Sequence, residues 1–465
     1  MERLNHKIKN SFNSRALFAG IVGLGSLSAA IYLINFKIYD LVPAFSGLSD
    51  IQLYVIMFLF LSILYLGGVF VVLKMITKDQ SSWSLTGIII LLAIIFRFCL
   101  IPSDPEVLSK DMYRYIWDGR VQQNGINPYL YPPGADELET MRDDQIFPNI
   151  NRKEYPTLYP AGAQVFFRIF YTLVGDSVTA YKGIMVFFDI LTLVVLTAVL
   201  RAYGFKAPRI IVYAWNPLVV FEIAYSGHLE GLAVFLMVAA LYLHAIHKNI
   251  PAIIMLALSA AVKLYPALLL AALLNRGYRI KGIIAFSATI MLLYLPFISA
   301  GSKISGFLPV YLKNQYESFN LGLKDLLMRL IPALDYYLLS LLFIIALAIA
   351  AVLVFLKEKK DIEVLRYAYI LAGLLMILMP ASLHPWYVIL ILPFLVIYPN
   401  PAWLIFTCTV TLSYLKYTSP QGIMPAWVLL AEYLPLFALL AAGYILKRYF
   451  HRSRISGRDF SRESV

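Results

Sequence analysis

Residues 84–123 read SLTGIIILLAIIFRFCLIPSDPEVLSKDMYRYIWDGRVQQ, and the change of character at Pro102 decides the fold. Up to Ile101 the run is apolar and long enough to cross the hydrocarbon core of a bilayer as a helix. From Pro102 to Gln164 the chain turns polar: this stretch holds ten of the 27 acidic residues, against six Lys/Arg. Carboxylates, tyrosines and tryptophan gathered in one long loop between apolar runs point to chemistry or recognition at the membrane surface.

The surrounding composition agrees. The chain is 60% hydrophobic and only 14% charged, outside the usual range of soluble domains. Ala16–Phe36, Ile51–Leu73, Ser84–Ile101 and Tyr336–Phe355 each have spanning length. The expectation is an all-α, polytopic membrane protein with about twelve transmembrane helices and a long extracytoplasmic loop carrying interfacial helices. The first run is too long for a cleavable signal and lacks a small-residue cleavage site. Cys99 and Cys408 fall in apolar segments without metal-type spacing and read as buried thiols.

The net charge of +12 suggests nucleic acid until its location is considered. Residues 1–15 contribute +3 and residues 447–465 contribute +4. Basic ends beside apolar runs mark the cytoplasmic side, so nucleic acid is not an expected partner and membrane lipids are. Both termini are then cytoplasmic, in a multi-pass protein of the plasma (inner) membrane. With Lys74 and Lys78 inside after the second crossing, the acidic loop lies outside.

Three regions follow: two N-terminal transmembrane helices in 1–83, a central membrane module in 84–400 that includes the loop 102–164, and C-terminal helices with a basic tail in 401–465. Ala163–Val174 is short and contains Arg168, so it reads as a half-helix that does not span, ahead of a crossing at Val178–Leu200. Ile210–Tyr225 and Leu229–Ile246 read as further spans. Ile250–Leu274 carries Lys263-Leu264-Tyr265-Pro266 at its centre and reads as a re-entrant segment broken at Pro266. If both short segments cross instead, 201–250 inverts. Later spans begin near Gly282, Tyr336, Arg366, Trp386, Pro401 and Trp427. There is no soluble domain, repeat or low-complexity tract.

Lys110–Gln123 reads as a helix along the interface. At 100° per residue Asp111, Tyr115 and Asp118 share a face, and Arg114 reaches either carboxylate. Tyr113 and Trp117, opposite, suit the headgroup level. A carboxylate held there can take a proton from a substrate hydroxyl, although a surface helix laced by ordinary salt bridges fits the spacing equally well. Gly125-Ile126-Asn127-Pro128-Tyr129 is a turn. Tyr155, Tyr159 and Gln164 add aromatic and hydrogen-bonding surface that suits sugar rings, or plain interfacial anchoring. His228 with Glu230, Lys263 and His384 are ionisable groups near or within apolar segments, where function is the default hypothesis. The plain alternatives are satisfied interfacial histidines and a snorkelling lysine; Arg97 reads as snorkelling outward.

Lys110-Asp111-Met-Tyr-Arg-Tyr-Ile-Trp-Asp118-Gly-Arg120, then Gly125-Ile-Asn-Pro-Tyr129 and a Tyr-Pro pair ahead of Gln164, resembles the GT-C superfamily of integral membrane glycosyltransferases. The likeness is to its polyprenyl-phosphate-sugar-dependent, mannosyltransferase-containing branch. Trp215-Asn-Pro-Leu218, Gly227-His228, Lys263-Leu-Tyr-Pro266 and His384-Pro-Trp-Tyr387 fit the same pattern, and the likeness runs from about Ser84 to Tyr398. The resemblance implies transfer of a hexose, taken as mannose, from a lipid-phosphate donor to an acceptor on the outer face. The acceptor is a glycolipid, polysaccharide or protein, and inversion is usual. It makes Asp111 the general base. Arg114, Tyr115, Asp118, Arg120, His228, Lys263 and His384 are candidates for holding the donor sugar or its phosphate. Tyr129, Tyr159, Gln164 and Trp386 are candidates for an acceptor or sugar platform. No metal and no cofactor are expected beyond the lipid-phosphate sugar itself. Two departures stand out: the aspartate loop follows the third apolar run rather than the first, and Leu229-Glu230 replaces the Asn-Asp often found after Gly-His. A transporter or flippase of lipid-linked sugars is the alternative reading, and a membrane acyltransferase with a histidine base is a third.

Overall fold

Long apolar runs free of internal proline form the first three helices: α1 (Glu2–Ile34), α2 (Asp50–Met75) and α3 (Trp83–Leu100). The computed structural model describes residues 2–34, 47–75, 83–313, 319–419 and 422–459. Phe36 and Lys78, used in reading the first two crossings, lie outside them. The polar stretch contributes α4 (Asp111–Gln123). Next come α5 (Ala161–Val174), α6 (Val178–Ala202), α7 (Glu230–Ala245) and α8 (Asn249–Val262). They are followed by α9 (Arg279–Tyr294), α10 (Tyr336–Leu356), α11 (Asp361–Ile377) and α12 (Ala426–Asp459). Among the described residues there is no strand.

Among the described residues six helical stretches are long and apolar enough to cross a membrane: Asp50–Lys74, Trp83–Leu100, Val178–Ala202, Arg279–Val310, Tyr336–Leu356 and Ala426–Lys447. Others read from the sequence as spans are shorter or broken. Residues 210–225 form no continuous helix. Asn216 accepts from the Leu218 N–H, Pro217 opens a new turn, and Val220–Tyr225 winds as a π-helix. Every residue from Ile210 to Val234 is buried, so this is protein core, and an apolar run looks the same in either setting. The break expected at Pro266 falls at Lys263, whose extended backbone (φ −137°, ψ 132°) ends α8. Pro266 instead sits in the first turn of the 3₁₀ helix Tyr265–Leu269, where its missing N–H costs no hydrogen bond.

α4 also departs from expectation. It is not an exposed amphipathic helix, because Met112 to Gln122 are all buried in protein. Trp117 is 1% exposed against Phe147, and Tyr113 is covered too. The covering partner is α5, which approaches at Gly119. A Cβ there would lie 2.6 Å from the Phe167 carbonyl oxygen and 2.7 Å from Tyr171 Cβ.

Arg97 does not snorkel. It is fully buried, and its Nε donates to Asp189 Oδ2 of α6 at 2.5 Å while Nη1 donates to the Ala93 and Ala214 carbonyls. Tyr213 donates to the other Asp189 oxygen at 2.7 Å. Removing one member leaves a buried charge without its partner, a loss of about 3–5 kcal/mol. Arg97→Met is therefore expected to lower the thermal unfolding temperature of the detergent-solubilised protein sharply. The double variant Arg97→Met/Asp189→Leu should recover much of that loss; equal losses in both would contradict the pairing.

Candidate active site

The N-terminus of α4, the segment 151–160, the break at Lys263 and the corner at 380–387 meet around a cavity of about 530 Å³. Asp111 occupies the first turn of α4, where helix dipole and free N–H groups favour a carboxylate. Its side chain is 21% exposed. Asn151 Nδ2 donates to its Oδ1 at 2.9 Å, and the Tyr159 hydroxyl donates to Oδ2 at 3.3 Å. Burial pushes this carboxyl up, but His228, Lys263, the Asn151 hydrogen bond and His384, the two imidazoles acting where acid protonates them, together outweigh burial and hold it below the ordinary carboxylate value. Asp111 is thus a carboxylate at neutral pH, facing a cavity.

Four cations line the same space: Lys110, Arg114, Arg152 and Lys263. Arg114 donates from Nε to Asp118 Oδ1 at 2.8 Å and from Nη1 to the Tyr155 carbonyl at 3.2 Å. Lys263 Nζ lies 3.0 Å from Glu230 Oε1, which also accepts from the Tyr265 hydroxyl at 3.0 Å. The extended backbone at Lys263 presents its side chain to the cavity, where it sits over the rings of Tyr159 and Tyr387. Arg152 has left-handed backbone (φ 54°) and lies over the Phe307 ring. Leu264, Leu308, Leu375 and Met379 make another part of the wall apolar.

Four rings stack behind the corner. His228 lies 4.0 Å from Trp386, Trp386 4.4 Å from His384, and His384 4.9 Å from Phe319, with interplanar angles of 12–20°. Burial lowers His384 to about 3, although Asp111 opposes that shift, so its imidazole is neutral at pH 7. It lines the cavity without supplying positive charge.

Of the candidate residues, Asp111, Arg114, Tyr159, Lys263, His384 and Trp386 line this cavity. The others do not. Asp118 and Gln164 form a buried brace, with Gln164 Nε2 donating to Asp118 Oδ2 at 2.8 Å and to Thr157 Oγ1 at 2.7 Å. Tyr115 is fully buried, stacked on Phe167 and edge-on to Tyr159. Arg120 points away from the cavity and ties Asp143, Asp176 and the Met141 carbonyl together. Tyr129 donates to the Tyr159 carbonyl at 2.8 Å and packs on Phe297. His228 is fully buried behind Trp386, with Nδ1 4.0 Å from Asp111 Oδ2. Tyr155, read from the sequence as aromatic surface, lines the cavity as well, whereas Asn151, Arg152, Phe307 and Tyr417 escaped the sequence reading because only the fold brings them here. Glu222 escaped too, although a lone acid in an apolar run is itself a signal. No group of three or more His, Cys, Asp or Glu among the described residues is placed to hold a metal ion.

Comparison with known proteins adds the chemistry. The profile of the MptA_B family, described as alpha-(1->6)-mannopyranosyltransferase, N-terminal domain, matches residues 16–276, more than half of the chain. The chain belongs to this mannosyltransferase family. No curated protein and no solved structure matches it. The matched region contains Asp111, His228 and Lys263, while His384 and Trp386 lie beyond it. A mannosyltransferase takes a sugar donor and a glycan acceptor, which accounts for a cavity combining a carboxylate, cations and aromatic rings.

The turn that carries His228 is one point where this mannosyltransferase tolerates no side chain. Gly227 has φ +70°, and a Cβ there would press on the end of the Met112 side chain, one residue from Asp111. Gly227→Ala is expected to lower transfer several-fold, because an L side chain strains the left-handed backbone that holds His228 in place and pushes the Met112 side chain aside. Activity within twofold of wild type would show that the contact yields freely.

Proposed function

We propose that the protein transfers mannose from a polyprenyl-phosphate-linked donor to a hydroxyl of a glycan acceptor at the extracytoplasmic face, with Asp111 as general base. The single observation that carries this reading is the ionised Asp111 in a cavity shared with Lys263, Arg114 and Arg152. As the acceptor oxygen attacks the anomeric carbon, its proton passes to Asp111. The bond from that carbon to the phosphate oxygen breaks, and its electron pair leaves on phosphate. The lipid phosphate thereby gains negative charge, which nearby cations stabilise most in a water-poor site. One displacement inverts the anomeric carbon, so an α-linked product requires a β-linked donor. The apolar wall of Leu264, Leu308, Leu375 and Met379 suits the first units of the lipid.

Membrane sidedness rests on the basic chain ends and the acidic loop. The GT-C-type architecture with about twelve crossings is part of this proposal, supported by the six long apolar helices and shorter ones such as Glu230–Ala245. The test uses purified protein in proteoliposomes. Radiolabelled polyprenyl-phosphate-mannose is offered from the lipid phase and nucleotide-linked mannose from solution. Label is expected in the glycan from the lipid donor alone. Transfer from the nucleotide donor without lipid carrier would overturn the reading.

The base has a pH signature. A carboxyl held below its ordinary value of about 4 stays ionised until the pH falls through that lowered value. The acidic limb of kcat/KM is therefore expected below pH 4, read in short assays that precede acid inactivation. A limb near pH 6 would assign the base to another group.

A further inference from the structure

We propose that His228 and Glu222 form a proton relay behind Asp111, with Glu222 holding the acceptor's proton until the products leave. This rests on Asp111 being the base. His228 stands between two carboxylates: its Nε2 is 3.3 Å from Glu222 Oε2 and its Nδ1 is 4.0 Å from Asp111 Oδ2, and both ring nitrogens and Glu222 Oε2 are buried without a hydrogen bond of their own, so a small ring rotation is what aligns them. Both His228 and Glu222 are fully buried, while Asp111 alone of the three reaches the cavity. The π-helical turn at Val220–Tyr225 and the turn at Gly227 set this geometry, and the His228 main-chain N–H donates to the Glu222 main-chain carbonyl at 3.0 Å. Trp386 stacks on the imidazole and separates it from the cavity, so the ring does not contact substrate. Lys263 and His384 also act on Asp111, and the Tyr414 hydroxyl donates to Glu222 Oε1 at 2.9 Å.

The two unequal distances fit one tautomer. With the ring proton on Nε2, facing Glu222, Nδ1 and the Asp111 carboxylate are both acceptors and stand apart at 4.0 Å. When Asp111 receives the acceptor's proton it becomes a donor towards Nδ1, and the gap can close. That proton moves from Asp111 to Nδ1 while the Nε2 proton moves to Glu222. Asp111 is again a carboxylate, Glu222 is neutral, and the imidazole has changed only its tautomer. The charge balance is unchanged, and no outside reactant is needed. Function follows from microscopic reversibility. A proton left on Asp111 would serve as the acid for cleaving the new glycosidic bond, with the lipid phosphate as nucleophile. Moving it to Glu222 commits the forward transfer, and the proton returns to water through Asp111 once the cavity empties.

The experiment compares wild type, Glu222→Gln, His228→Gln, their double variant and Asp111→Asn, each checked for monodisperse behaviour in detergent. Glu222→Gln keeps the size and hydrogen-bonding capacity of the side chain. It is expected to lower kcat about tenfold with donor KM within twofold. The solvent-deuterium proton inventory of kcat should change from bowed in wild type, with several protons in flight, to linear. The double variant should lose no more than the worse single variant, as members of one relay do, and Glu222→Asp should restore part of the rate. Wild-type kcat with a bowed inventory in Glu222→Gln, or losses that multiply in the double variant, would overturn the relay. An inactive Asp111→Asn beside a fully active Glu222→Gln would remove the relay alone. An active Asp111→Asn would remove the base on which the relay depends.

Discussion

Asp111→Asn is expected to lower kcat for mannosyl transfer by about two to four orders of magnitude, the usual range for a general base. The amide fills the same space; its oxygen can still accept from Asn151 while its NH2 donates to the Tyr159 hydroxyl, so donor binding should survive within a few-fold. The loss is of proton acceptance alone. A parallel collapse of donor affinity would instead make Asp111 a binding group, and activity within tenfold of wild type would remove it from the chemistry. Asn151→Ala provides a graded comparison. It removes one donor that supports the ionised form, so the acidic limb of the pH profile should move upward, towards neutrality, with a loss smaller than that of Asp111→Asn.

Lys263→Gln should have the second largest effect, a fall in kcat of about 10²- to 10³-fold, the scale seen when one group facing developing charge is removed. Lys263 has the geometry for this role, emerging from a helix break into the cavity. Its partner Glu230 is fully buried, so the single variant also leaves a carboxylate uncompensated. The double variant Lys263→Gln/Glu230→Gln separates the two effects. Recovered stability with activity still low assigns Lys263 to the leaving phosphate. Recovered activity would make the pair a structural bridge.

How far the sequence carried these conclusions depends on the kind of signal. Helical class and membrane character were legible from apolar runs such as Ser84–Ile101, because length and composition govern both. Asp111 stood out by its place at the start of a polar helix. Lys263 and His384 stood out because a charge is costly in apolar surroundings. Burial was less legible. Tyr113 and Trp117 were read as interfacial, yet an aromatic ring looks the same at a headgroup layer and beneath a packed helix. Arg97 and Asp189 are 92 residues apart, and no local pattern pairs them. The break at Lys263 was placed at Pro266 because proline ends helices, whereas here it begins one. Asn151 and Glu222 belong to this site only through folding, one from an irregular loop and the other from a π-helical turn.

The most direct test of the central claim is the stereochemical course of a single turnover. Purified protein is given a β-linked polyprenyl-phosphate-mannose and a mannosyl acceptor, and the anomeric configuration of the new linkage is read by NMR. One displacement with Asp111 as base predicts an α-linked product from wild type, formed at least a hundredfold more slowly by Asp111→Asn. A β-linked product would exclude a single inverting displacement, and equal rates of product formation from both proteins would place the base elsewhere; either result contradicts the account.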